Sequence, residues 1–74
     1  MYFLKLTAHD RNGNVCDESW FAGWLFGGRF PRIVSYMGEA ELLETLDVAT
    51  SASIALQENG TTVSLGYIVE IVEV

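Results

Sequence analysis

Asn12-Gly13, set between two stretches of alternating polarity, constrains this chain more than any other pair of its residues. Both central positions of a two-residue type I′ turn need positive φ, and Asn-Gly tolerates that better than almost any other dipeptide. Upstream, Tyr2 to His9 alternates, with Leu4, Leu6 and Ala8 on one face and Phe3, Lys5 and Thr7 on the other. The segment therefore predicts a strand and the turn predicts a hairpin, with Val15 to Ser19 returning antiparallel. Asp17 and Glu18 are poor strand formers, so the returning strand is expected to be short or at an edge.

Gly38 to about Thr50 predicts the main helix. Leu42, Leu43, Leu46, Ala49 and Thr50 fall at helical spacing on one face. Glu39 and Glu41 would occupy its first turn, where the helix dipole favours negative charge. Glu41, Glu44 and Asp47 would lie on or beside its outer face, with Val48 as an apolar exception. Residues 51–58 admit two readings. A helix running on to Glu58 would be capped by Gly60. A second Asn-Gly hairpin, at Asn59-Gly60, would instead pair Gln57 with Thr62, Leu56 with Val63 and Ile54 with Leu65. The strand preference of Thr61, Thr62 and Val63 tips the choice slightly toward the hairpin. Tyr67 to Val74 predicts a strand that is apolar on both faces, hence central or at an edge that pairs with a partner. The fold class that follows is α+β: a small single-layer antiparallel sheet, an N-terminal hairpin plus a C-terminal hairpin or strand, packed against one main helix. Residues 1–74 make one small domain, and a chain this short hides only about 60% of its unfolded surface.

The segment from Trp20 to Phe30 fits neither the strand nor the helix period. It carries Trp20, Phe21, Trp24, Phe26 and Phe30 together with Gly23, Gly27 and Gly28. Gly27-Gly28 and then Pro31 break regular structure. The expectation is a turn or short helix over 20–26, a loop, and a further short strand from Arg32 to Tyr36.

Chemistry finds little footing. His9 is the only histidine and Cys16 the only cysteine. A hairpin on Asn12-Gly13 would place them opposite each other, but nothing marks a third group to orient such a pair, so no catalytic residue is assigned. The loop from Asp10 to Asn14 has its glycine too early for a calcium loop and lacks a closing bidentate Glu. Gly23, Gly27 and Gly28 lack the Lys-Ser/Thr that follows a phosphate loop. No metal ligand and no cofactor are expected, and the chain is read as non-enzymatic. With one cysteine it can form neither an internal disulfide nor a cysteine zinc site. The lone thiol and the absence of a basic start followed by a long apolar run suit the cytoplasm.

What remains is binding. The net charge of −6, from ten acids against four bases, disfavours direct nucleic-acid and anionic-membrane contacts and favours a basic protein partner. Half the residues are hydrophobic, a generous share for so short a chain. Aromatic and Arg side chains dominate interface energies. The candidate partner-binding residues are therefore Trp20, Phe21, Trp24, Phe26, Arg29, Phe30 and Arg32, with Glu41, Glu44 and Asp47 as an acidic surface. In size, acidity, compact α+β build and surplus aromatics the chain resembles small phage-encoded inhibitors of bacterial defence, the anti-CRISPR proteins among them. The resemblance is one of character and carries no site residue over. It implies a small acidic inhibitor that masks a surface on another protein, one that itself binds nucleic acid in the special case of charge mimicry. The alternative is a homo-oligomeric structural or accessory subunit, with a homodimer as its simplest form.

Overall fold

The computed structural model describes all of residues 1–74. Four strands, β1 (Tyr2–His9), β2 (Val15–Leu25), β3 (Phe30–Val34) and β4 (Ile68–Glu73), form one antiparallel sheet in the order β3-β2-β1-β4. The main helix α1 (Leu46–Glu58) covers one face of it, and a short helix α2 (Gly60–Leu65) leads into β4. This is the α+β architecture the sequence predicts.

The hairpin joining β1 and β2 forms, but by a different turn. Gly13 has φ +82° while Asn12 does not enter the left-handed region. Its N–H bonds to the Asp10 carbonyl, and Asp10 N–H bonds to the Asn14 carbonyl, a longer loop than the two-residue type I′ turn. Asp10 Oδ1 accepts from the N–H groups of both Asn12 and Asn14, which fixes the loop from within. The register shift that follows sets His9 against Val15 and Ala8 against Asp17. Cys16 falls in the irregularity, its thiol 3.5 Å from the Ala8 carbonyl, so it does not oppose His9.

β2 overturns two expectations. It neither stops at Ser19 nor lies at an edge; it runs on through Trp20-Leu25, where a turn or short helix was expected, and sits between β1 and β3. Its acids are accommodated at the sheet surface. Glu18 meets Lys5 at 3.1 Å, and Asp17 accepts hydrogen bonds from the Tyr67 and Ser19 hydroxyls. A break in the β2–β3 register between Phe21 and Trp24, with Gly23 at φ +104°, shifts the alternation by one residue. Phe21 and Trp24, three residues apart, thereby reach the same side and meet edge to face at 5.2 Å. β3 begins at Phe30, ahead of the expected Arg32.

The helix starts eight residues later than its leucine spacing predicts. Residues 40–45 are not helical; they cross the end of the sheet and pair with it. Tyr2 and Leu43 exchange both backbone hydrogen bonds at 2.8 Å, and Glu41 N–H bonds to the Phe21 carbonyl. Leu43 is thus buried by ladder pairing, not by a helical face. Thr45 is the true N-cap, accepting from Val48 N–H at 3.2 Å. At the far end α1 does run to Glu58, so the hairpin at Asn59-Gly60 does not exist. Asn59, at φ −73°, closes α1 and opens α2, its side-chain oxygen accepting from Thr61 N–H. Gly66, at φ +71°, ends α2 by donating to the Thr62 and Val63 carbonyls.

The core is small: Leu4, Leu6, Phe21, Leu43, Ala49 and Leu56, with Tyr2, Trp24, Ile33, Ala52, Tyr67, Val69 and Ile71 packed around it. All of it lies between the sheet and α1. The opposite face of the sheet has no covering layer. Substituting Gly13 with Val should lower stability by about 1–2 kcal/mol, since an added Cβ meets nothing within 4 Å and only the left-handed backbone resists it. Gly13→Asn should cost much less. Thermal melts of the two variants check this, and equal melting temperatures would refute the turn assignment.

Candidate functional site

The residues proposed from sequence as partner-binding divide into four places. Phe21 is 1% exposed and belongs to the centre of the core. Trp24 is half-buried against it. Phe21 offers no free surface, and Trp24 keeps only part of its own.

Trp20 lies on the uncovered face of the sheet, opposite Lys5 on one side and Val34 on the other. There Phe3 meets it edge-on at 6.2 Å and the Lys5 ammonium lies 5.9 Å from its ring centre. Arg32 is exposed on β3, two residues from Val34 on the same face. Phe3 was not among the sequence candidates. Its alternation with Leu4 marked it as facing away from the core, and the missing second layer is what leaves it uncovered.

Phe26, Arg29 and Phe30 gather at the corner where β2 turns into β3. Leu25 and Phe30 close the hairpin as partners, and Arg29 N–H bonds to the Leu25 carbonyl at 3.2 Å. Between them Phe26, Gly27 and Gly28 all take positive φ, at +53°, +67° and +92°. Gly27 and Gly28 adopt this without cost to a side chain; Phe26 adopts it against its side chain, and it is the only non-glycine residue in the chain with positive φ. The Phe26 ring is 76% exposed and packs edge-on against Phe30, itself 48% exposed, at 5.9 Å. A shallow groove of about 530 Å³ opens beside the corner, lined by Arg29, Phe30, Asn59, Thr61, Ser64 and Leu65 among others. Asn59 ties its two walls together by donating to the Arg29 carbonyl at 3.1 Å.

The acidic candidates do not form a helix face. Glu41 and Glu44 lie in the extended connection before α1, and only Asp47 is in the helix, in its first turn. All three side chains are exposed. Glu41 lies beside the Gly23 bulge, its carboxylate oxygen 3.5 Å from where a Cβ on Gly23 would stand.

His9, at the end of β1, and Cys16, near the start of β2, are both exposed beside the loop that joins the two strands. No group of three or more His, Cys, Asp or Glu side chains is gathered as metal ligands would be. No helix is long and apolar enough to cross a membrane. The Tyr67 hydroxyl donates to Asp17 at 2.5 Å, and that bond, aided by partial burial, raises its pKa above the ordinary tyrosine value. A raised folded-state pKa favours the protonated form. The bond therefore contributes fully below about pH 10, and the contribution disappears as pH rises through the folded-state value. The melting temperature should accordingly fall above pH 10, and Tyr67→Phe should flatten that fall; a variant that tracks the parent across the alkaline range would show that the bond has no part in it. Comparison with known proteins adds no relative: no protein family matches the sequence, and neither a curated protein nor a solved structure matches the chain.

Proposed function

We propose that this protein is a non-enzymatic protein-binding module that docks through the β2–β3 corner, with Phe26 and Phe30 as its anchors. The observation that carries this reading is the backbone of Phe26. A bulky residue held at φ +53° costs on the order of 1–3 kcal/mol. The ring so held gains little from burial, since three quarters of it faces solvent. Strain kept for an exposed aromatic side chain is strain that folding alone does not repay, and such outliers concentrate at ligand-binding positions. Arg29 beside the pair and the groove running to Leu65 add the residue types and the concavity on which interface hot spots depend.

The finer reading is an acidic inhibitor that masks a basic surface on its partner. Its support is the charge of −6 and the exposed run Glu39, Glu41, Glu44 and Asp47, which meets no cation in the fold. Charges of this kind steer encounter and set salt dependence, while aromatic anchors hold the complex.

Phe26→Asn tests the reading, because Asn tolerates the left-handed backbone. The melting temperature should hold or rise, while capture of partner proteins from a bacterial lysate falls by an amount matching about 2 kcal/mol of binding. Glu44→Lys should slow association at low salt and lose its effect as salt is added. If Phe26→Asn captures as the parent does, while Glu44→Lys abolishes capture at every salt concentration, the corner is not the site.

A further inference from the structure

We propose that β4 is a self-association edge, pairing antiparallel with β4 of a second copy about a two-fold axis at Ile71. This surface is separate from the aromatic corner and does not depend on how the corner is read.

The first support is backbone direction. Val74 donates its N–H to the Met1 carbonyl of β1's strand at 2.9 Å. Backbone polarity alternates along an antiparallel strand, so Val72, Glu70 and Ile68 also point inward at Phe3, Lys5 and Thr7. Val69, Ile71 and Glu73 then point their N–H and C=O groups outward, where no strand meets them. The two edges of the sheet are not alike. β3 has five residues and includes Pro31 and Arg32, both means by which natural sheets discourage pairing. β4 has neither proline nor a basic residue, and its apolar groups occupy both faces, with Ile68 58% exposed.

The second support is register. In an antiparallel pair, outward residues must oppose outward residues, and opposed side chains share a face. Centring the pair on Glu70 would set the two Glu70 carboxylates against each other and leave Glu73 without a backbone partner. Centring it on Val72 would leave Val69 unpaired. Centring it on Ile71 engages Val69, Ile71 and Glu73 of both copies, Ile71 against itself and Val69 against Glu73. On the open face Glu70 then opposes Val72, and Ile68 opposes Val74. No acid faces an acid, and the exposed Ile68 and Val74 cover each other. The product is one continuous sheet with β3 at both ends and both copies of α1 on the same side. The contact is small and largely main-chain, so the dimer should be reversible, with a dissociation constant roughly in the micromolar range.

Val72 is where the register is read. Val72→Lys places an ammonium opposite Glu70 of the second copy, twice per dimer, and Val72→Glu places a carboxylate there. Sedimentation equilibrium of the full chain, from micromolar to millimolar, should show a reversible dimer that Lys tightens and Glu weakens, the two constants at least about fivefold apart. Cross-linking reads the same geometry independently of charge. In a Cys16→Ser background, Ile71→Cys should form an intermolecular disulfide with diamide, since Cα atoms of a bonded pair are about 5.5 Å apart and within disulfide reach. Val69→Cys, on the same strand and face, should not. A chain that stays monomeric throughout, Lys and Glu variants without that ordering, or cross-linking at Val69 in place of Ile71 would each overturn the proposal.

Discussion

β2 carries two aromatic side chains, Phe21 and Trp24, that are three residues apart and still belong to one core. A regular strand would send them to opposite faces. The bulge at Gly23 removes that conflict, and much of the rest of the fold depends on it. It gives so small a core the bulk of Trp24 beside Phe21. Just ahead of the bulge the Phe21 carbonyl accepts from the Glu41 N–H, which holds the connection against the sheet next to the pairing of Leu43 with Tyr2. Beyond the bulge the chain resumes its pairing and ends in the corner that holds Phe26 and Phe30. One local irregularity thus serves both the hydrophobic layer and the exposed aromatic pair.

What the sequence revealed followed from how local each determinant was. Tyr2–His9 was legible to the residue, because alternation and turn chemistry act within a few positions of each other. The α+β class was legible for the same reason. Leu42, Leu43 and Leu46 misled because their spacing suits a helix, whereas Leu43 is buried by a pairing with Tyr2 that no local pattern reveals. Thr45 followed by Asp47 was the local sign of the true helix start. Asn59-Gly60 misled in another way: the dipeptide favours a hairpin, but Asn is also a strong N-cap, and helix α1 arriving at Glu58 decided between the two. The continuation of β2 past Ser19 was hidden by its bulge, which erases the period on which strand recognition rests.

The candidate site was legible in composition and not in arrangement. Crowding of aromatics among glycines in 20–30 did mark an unusual place. Which rings were core could not be read, because that depends on the one-residue shift at Gly23. The groove wall from Asn59 to Leu65 was out of reach for a simpler reason: it is brought to Arg29 by the whole length of α1. The acidic residues lost their common face when the helix began at Leu46.

Pro31 has a consequence beyond the hairpin that contains it. A sheet with two receptive edges can add copies without limit, and the result is a filament. A sheet with one receptive edge can form only a closed pair, because each addition exhausts the surface that made it possible. On the proposed pairing of β4, Pro31 and Arg32 at one margin and the receptive strand at the other would give this molecule a growth rule as well as a shape, with assembly ending at two.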